Sequence, residues 1–385
     1  MKATIRQCDC TIVAQVLQCR HDNLRLLAMH SRRSSRVVNI GNVAIGGQNP
    51  IAIQSMCTTK THNIKATVKQ ILALEKAGCE IVRVTVPFPK DAEALAAIKE
   101  QIHIPLVADI HFDYRMAIAA MKNGADKIRI NPGNIGKKEW VVEVIEAAKQ
   151  YKKAIRIGVN AGSLEKDLWA KYGRPSPEAL VESAVRWTEF FEKEKFHDLV
   201  IALKSSNVPE MIESYERMAT QCDYPLHLGV TEAGTFVTGS VKSAVGIGSL
   251  LVNGIGDTIR VSLSEDPLEE LKVAKEILKS LHLYSKERTV IACPTCGRVE
   301  VNLIKLAHQV EEKTAYLKKP IKIAVMGCVV NGPGESREAD YGIAAGRGCG
   351  ILYKNGQVVK TVEEKYLLKE LLAMIAVDHP DQKTQ

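Results

Sequence analysis

Apolar and polar positions along this chain follow two periods that take turns. Apolar, β-branched runs occur at Ile51–Met56, Ile81–Val86, Pro105–Ile110, Lys127–Asn131, Ile155–Asn160, Leu199–Ser205, Leu226–Thr231 and Thr258–Leu263. Between them lie stretches with apolar residues three and four apart, such as Ile64–Lys76 and Pro267–Ser280, which is the spacing of one helix face. Strand and helix repeated eight times over roughly 235 residues predict an α/β fold whose N-terminal domain is a (β/α)8 TIM barrel, a unit of about 250 residues. A doubly wound sheet would carry a glycine-rich dinucleotide turn after its first strand, and no GxGxxG stands there. Ahead of the first barrel strand, the run from Val37 to Gly47 predicts a β-hairpin turning at Gly41-Asn42.

The alternation stops around Leu281–Arg288, and a second pattern begins at Thr289. It predicts a strand at Thr289–Ala292, a helix at Val299–Glu311, a strand at Lys322–Met326, a glycine-rich stretch from Gly327 to Gly350 and a final helix at Glu363–Ala376. Three segments result: an extension over 1–30, the barrel over 31–282, and a smaller α/β domain over 283–385 with a short polar tail. The extension contains arginines and few acids, loosely like an organellar targeting peptide. A start at Met29 accounts for it equally well, and Cys8-x-Cys10 is not read as a metal site.

Composition narrows the class. The chain is 46% apolar and 25% charged, which is that of a folded soluble protein. No apolar run approaches the ~20 residues of a membrane span. Ten cysteines without a clear signal peptide read as reduced thiols in the cytoplasm, a few of them binding metal, and not as a disulfide scaffold. A formal charge of +8 raises the question of nucleic acid. The informative cations, however, lie inside strands and not in a surface stripe, which argues against it.

Four strands share a pattern: I-V-Arg83-V-T-V, K-I-Arg129-I-N-P, I-Arg156-I-G-V-N and T-I-Arg260-V-S. Side chains alternate faces along a strand, so each Arg shares a face with Thr85, with Asn131, with Gly158 and Asn160, or with Ser262. Lys204 and Ser206, then His227 and Thr231, continue the phase on the next two strands. One such Arg could be a structural ion pair. Five cations in phase need an anion, because burying like charges is costly. Asp109 and Glu232 are the evident carboxylates in phase, so a ligand with several negative charges, phosphorylated or diphosphorylated, is expected. Glu232 stands out for proton transfer among small residues and cations, with Asp109 and His111 as weaker alternatives. Lys204 has two readings, a phosphate partner or a Schiff-base lysine.

Cys293-Pro294-Thr295-Cys296 follows one strand, and Cys328 follows another in Met326-Gly327-Cys328. A redox dithiol would not need Cys328. A structural zinc site wants four ligands, and only Cys349 offers itself as a fourth. Glycines around Cys328 would let backbone N–H groups approach sulfur, which suits an iron–sulfur cluster.

The segments I-Q-S-M, V-A-D-I-H-F-D-Y-R, R-I-N-P-G-N-I-G, R-I-G-V-N-A-G-S-L-E-K, H-L-G-V-T-E-A-G, A-C-P-T-C-G-R and G-C-V-V-N-G-P-G-E together closely resemble the 4-hydroxy-3-methylbut-2-enyl diphosphate synthase family of the non-mevalonate isoprenoid pathway. The resemblance runs from Ser31 to Val377 and is to the two-domain bacterial form. It implies reductive ring opening and dehydroxylation of 2-C-methyl-D-erythritol 2,4-cyclodiphosphate, with electrons from a ferredoxin or flavodoxin. It implies a [4Fe–4S] cluster on Cys293, Cys296, Cys328 and Glu335, with Cys349 a bystander. It further implies diphosphate binding by Arg83, Arg129, Arg156, Lys204, His227 and Arg260; Asn160 and Ser262, in phase with these cations on their strands, are expected to bind substrate with them. Glu232 would lie near the reacting carbons, and a homodimer would set one chain's cluster domain over the other's barrel. Two enzyme-free or alternative readings remain, an iron–sulfur electron carrier and a Lys204 aldolase.

Overall fold

The computed structural model describes residues 31–380 apart from 329 and 331. Residues 1–30, with Cys8, Cys10 and Met29, lie outside the described residues, as does the tail from 381. The chain divides into two compact units between Leu281 and His282.

The first unit opens with the expected hairpin, β1 (Val38–Ile40) paired antiparallel to β2 (Val43–Ile45). The barrel strands follow as β3 (Ala52–Met56), β4 (Ile81–Thr85), β5 (Leu106–Asp109), β6 (Lys127–Ile130), β7 (Ala154–Asn160), β8 (Leu199–Lys204), β9 (His227–Leu228) and β10 (Thr258–Ile259). They form one eight-stranded sheet in which β3 to β8 pair in sequence and β10 lies between β3 and β9. The seam between β8 and β9 is a single parallel bridge, Ile201 to Leu226. β9 and β10 are two residues each, shorter than the six-residue runs predicted. Past Leu228 the two backbones stay close: the Arg260 N–H donates to the Leu228 carbonyl at 3.0 Å, and a Cβ on Gly229 would lie 2.6 Å from the Arg260 carbonyl oxygen.

The hairpin seals one end. Val38, Ile40 and Ile45 are buried against Ala52, Ile81, Val107, Ala154 and Val200 near the starts of five barrel strands. Asp257 holds the preceding segment in place, accepting from Arg32 Nη2 and Ser35 Oγ at 2.8 Å each and from the Leu226 N–H. The N-terminal end of the lumen is therefore apolar and closed, which leaves the C-terminal ends of the strands for chemistry. Ile40→Ala removes a side chain with 0% exposure from this floor. It is expected to destabilise the barrel by about 2–5 kcal/mol, read as an earlier thermal transition of the first unit.

The second unit holds β11 (Thr289–Ala292), β12 (Lys322–Met326), β13 (Tyr341–Gly346), β14 (Cys349–Lys354) and β15 (Gln357–Glu363), in that order across one sheet. β11, β12 and β13 run parallel, and the last three run antiparallel. The helices Leu303–Lys313 and Leu367–Asp378 contribute Leu303, Val310, Leu367, Leu371 and Ile375 to its core. The short helix Gly332–Arg337 packs on β12 and β13. The glycine-rich stretch from Gly327 to Gly350 holds the helix Gly332–Arg337, β13 and the first two residues of β14. The last helix starts later than the expected Glu363, because β15 runs to Glu363 before the helix begins at Leu367. Asn355-Gly356, both at positive φ, makes the β14–β15 turn, a dipeptide that is itself a strong hairpin signal.

Candidate active site

Parallel register brings the barrel cations together. Thr85 stands beside Asp109, Asp109 beside Arg129, and Arg129 beside Arg156; Arg83 stands beside Met56, and Asn160 beside Lys204. Asp109 is the hub. Its carboxylate lies 3.1 Å from Arg129 Nη1 and 3.6 Å from Arg83 Nε. Burial alone would raise its pKa, but the charges of Arg83, Arg129 and Arg156 overcome that and hold it at about 2. Arg260 pairs with Glu270 at 3.3 Å, and the same carboxylate accepts from the Leu263 N–H at 3.0 Å.

Two carboxylates do not balance these cations. Arg83, Lys127, Arg129, Arg156, Lys204 and Arg260 face Asp109 and Glu270, and no ion pair to Lys127, Arg156 or Lys204 occurs among the described residues. Arg83 gives two donors to the Met56 thioether, at 3.1 and 2.8 Å, a weak acceptor for a guanidinium. Arg156 is 1% exposed, with Nε and Nη1 unpartnered, and Arg129 Nε and Arg260 Nε are also unpartnered. Burial pushes Arg83 down to about 10, and Asp109 only partly offsets it. Burial, then the neighbouring guanidiniums, push Arg156 and Lys204 well below their ordinary values. Unsatisfied buried donors of one sign are the signature of a site shaped for an anion.

The remaining predicted residues occupy distinct places. His227 is buried, its Nδ1 3.4 Å from Thr258 Oγ1 and its Nε2 unpartnered; burial and then Arg156 push its pKa well down. Asn160 has a buried, unpartnered Oδ1 at the end of β7. Ser262 is half-buried just past β10. Glu232 is exposed, with φ at +51°, a left-handed backbone that costs a non-glycine residue about 1–2 kcal/mol. Two glycines make room for cations: a Cβ on Gly158 would lie 2.8 Å from Arg129 Nε, and one on Gly229 would lie 3.6 Å from Lys204 Nζ.

Sequence reasoning missed two members of this cluster. Lys127 lies two positions before Arg129 on β6, so the same phase argument reaches it. Glu270 comes from the helix Pro267–Ser280, and a strand-phase argument has no means of finding it.

In the second unit, Cys293, Cys296 and Cys328 lie just beyond the C-terminal ends of β11 and β12. Cys328 is buried and Cys296 exposed. The Gly327 N–H donates to Cys293 Sγ at 3.2 Å, the backbone-to-sulfur contact that a thiolate site uses. Glu335 is exposed in the short helix Gly332–Arg337. That helix lies directly on the sheet because a Cβ on Gly332 would come within 2.8 Å of the Ala344 Cβ. Cys349 starts β14 opposite Gly346, on the same edge, and is exposed. Among the described residues no group of three His, Cys, Asp or Glu converges tightly enough to hold a metal ion. The donor chemistry, three cysteine sulfurs with a backbone donor already on one of them, fits a thiolate-ligated cluster.

Fold and site define a two-domain protein, a cation-lined (β/α)8 barrel joined to an α/β domain with three thiols at one sheet edge. The GcpE TIM-barrel domain matches residues 35–275, and the GcpE protein C-terminal domain matches residues 289–377. The chain belongs to the GcpE family. It is 59% identical to 4-hydroxy-3-methylbut-2-en-1-yl diphosphate synthase (flavodoxin) of Fusobacterium nucleatum, across 91% of this chain and 99% of that one. It is 57% identical to the protein of that name from Caldanaerobacter subterraneus, across 89% and 97%. No helix among the described residues is long and apolar enough to cross a membrane.

Asp109→Asn would leave Arg83 and Arg129 buried without their carboxylate. It is expected to lower stability at pH 7 by about 3–5 kcal/mol, with added inorganic pyrophosphate restoring part of the loss in a thermal-shift measurement. Because the folded carboxyl is depressed, its contribution is complete above the ordinary value near about 4. The gap between wild type and variant should therefore close as pH falls toward 2.

Proposed function

We propose that this chain is a 4-hydroxy-3-methylbut-2-enyl diphosphate synthase that opens the ring of 2-C-methyl-D-erythritol 2,4-cyclodiphosphate with two electrons from reduced flavodoxin. The observation that carries the reading is the surplus of buried cations in the barrel. A diphosphate supplies the charge these groups lack, and guanidinium forks match its oxygens. The names of the relatives agree with this chemistry and give flavodoxin as the electron partner.

In this reading Arg83, Arg129, Arg156, Lys204 and Arg260 grip the diphosphate, with His227, Asn160 and Ser262 completing the polar lining. Glu232 holds the proton that leaves with the hydroxyl as water. Cys293, Cys296, Cys328 and Glu335 hold a [4Fe–4S] cluster, whose chemistry when bound is one-electron transfer and an iron able to accept an oxygen ligand. A carboxylate is the most weakly held of these four ligands, so Glu335 is the one that yields. The enzyme works in the cytoplasm as a homodimer, with one chain's cluster domain serving the partner's barrel.

Anaerobically purified protein should be brown, carry about four irons per chain and consume the cyclic diphosphate with reduced flavodoxin. A carbonyl substrate trapped on Lys204 by borohydride would instead support an aldolase.

The ligand assignment is tested by spectroscopy of single variants. Cys328→Ser should lose the cluster, whereas Cys349→Ala should keep its absorbance and paramagnetic signature. Glu335→Ala should change that signature. Loss of the cluster in Cys349→Ala with no change in Glu335→Ala would move the fourth ligand to Cys349.

Glu232→Asn places a residue that tolerates left-handed backbone at the strained position. The protein should melt no lower than wild type, while turnover falls about 10²–10⁴-fold, the range of a lost general acid. Unchanged turnover would remove Glu232 from the reaction.

A further inference from the structure

Lys127 has no function in the scheme above, and its surroundings are unusual for a lysine. It is 0% exposed, and its Nζ meets no hydrogen-bond partner. Its register neighbours, Val107 on β5 and Ala154 on β7, belong to the apolar floor that the hairpin seals. The acid beside it in sequence, Asp126, is engaged elsewhere, with Lys99 at 2.6 Å and the Leu106 N–H at 2.9 Å. The charged groups that reach Lys127 are Arg156 on β7 and Arg83 on β4, and His227 on β9 feels its charge in turn. Burial first, then those two guanidiniums, push its ammonium well below the ordinary lysine range. Asp109 serves Arg83 and Arg129, and Glu270 serves Arg260. No carboxylate among the described residues serves Lys127.

The charge balance of the reaction gives such a lysine a use. A cyclic diphosphate has one ionised oxygen on each phosphorus. Ring opening breaks the bond between a ring carbon and a phosphate oxygen, and the bonding pair stays on oxygen. Two electrons from reduced flavodoxin and one proton enter, and the hydroxyl departs as water. The dianion thus becomes a trianion, because the freed terminal phosphate ionises a second time near neutral pH. Negative charge grows on the diphosphate as the bond breaks.

We propose that Lys127 is a positioning residue for this extra charge, favouring the linear three-charged diphosphate over the cyclic two-charged one from beneath Arg156. The proposal rests on the diphosphate reading above. Coulomb attraction adds pair by pair, so every lumen cation gains with each ligand charge. Arg156 and Lys204 also lack a carboxylate but are assigned to grip the diphosphate, whereas Lys127, opposite Ala154 and two positions before the Arg129–Arg156 pair, adds its charge from the layer below without a bond to the ligand. An interaction stronger after bond breaking than before it accelerates the step, whereas uniform binding does not.

The test compares binding of the cyclic substrate and the linear product to oxidised holoenzyme by calorimetry, without reductant so that no turnover intervenes. Lys127→Met should weaken the linear diphosphate about 10–100-fold, the range for losing a charged partner, and the cyclic one much less. Lys127→Arg should retain most of the preference. Ligand-free Lys127→Met should also melt higher than wild type, since it replaces a buried amine that has no hydrogen-bond partner with an apolar chain of similar length; a lysine kept for structure would melt lower. The absorbance of the cluster reports that each variant is intact. Equal losses for both ligands, no loss for either, or a lowered melting temperature would overturn the role of Lys127. Wild-type protein that binds neither diphosphate would overturn the underlying reading as well.

Discussion

Uncompensated positive charge buried in the barrel is the constraint on which the rest of this structure depends. Cations on β4, β6, β7 and β8 and just past β10 share a lumen with only Asp109 and Glu270 among the described carboxylates. Such a lumen is unfavourable when empty, because desolvation of each charge is not repaid. The fold answers from below. The β1–β2 hairpin packs an apolar floor under the cations, and Asp257 ties down the chain leading into it through Arg32 and Ser35. Stability is thus concentrated at the N-terminal end of the strands and given up at the C-terminal end.

Small residues set how closely the charged groups approach one another. Gly158 lets the Arg129 guanidinium lie against β7, and Gly229 lets Lys204 lie near the β9 backbone. The same device recurs in the second unit, where Gly332 and Gly342 seat the helix bearing Glu335 directly on the sheet. In both units, glycine replaces side-chain volume with proximity between a functional group and its support.

Much of the fold was legible in the sequence. Alternating periods identified the eight barrel strands and the hairpin, because both depend on local patterning. The misplaced elements share a cause. β13 and β14 are rich in glycine and small residues, so their hydrophobic period is faint, and their strand character comes from pairing across the sheet. β9 and β10 are shorter than their apolar runs, and the close approach of the Gly229 and Arg260 backbones joins segments some thirty residues apart, which no local pattern reports. The N-terminal extension belongs to neither unit's described structure.

The sequence by itself determined the residue types and their phase: which side chains could share a lumen, and which thiols follow strands. It could therefore predict a cation-lined barrel and a cysteine-bearing second domain. Tertiary structure alone decided how those charges are balanced. Asp109 became the shared partner of two arginines through parallel register, Glu270 arrived from a helix, and Lys127 was left with no partner. Phase along one strand says which face a charge occupies. Whether another charge stands within a few ångströms depends on strands and helices that meet only in the folded chain.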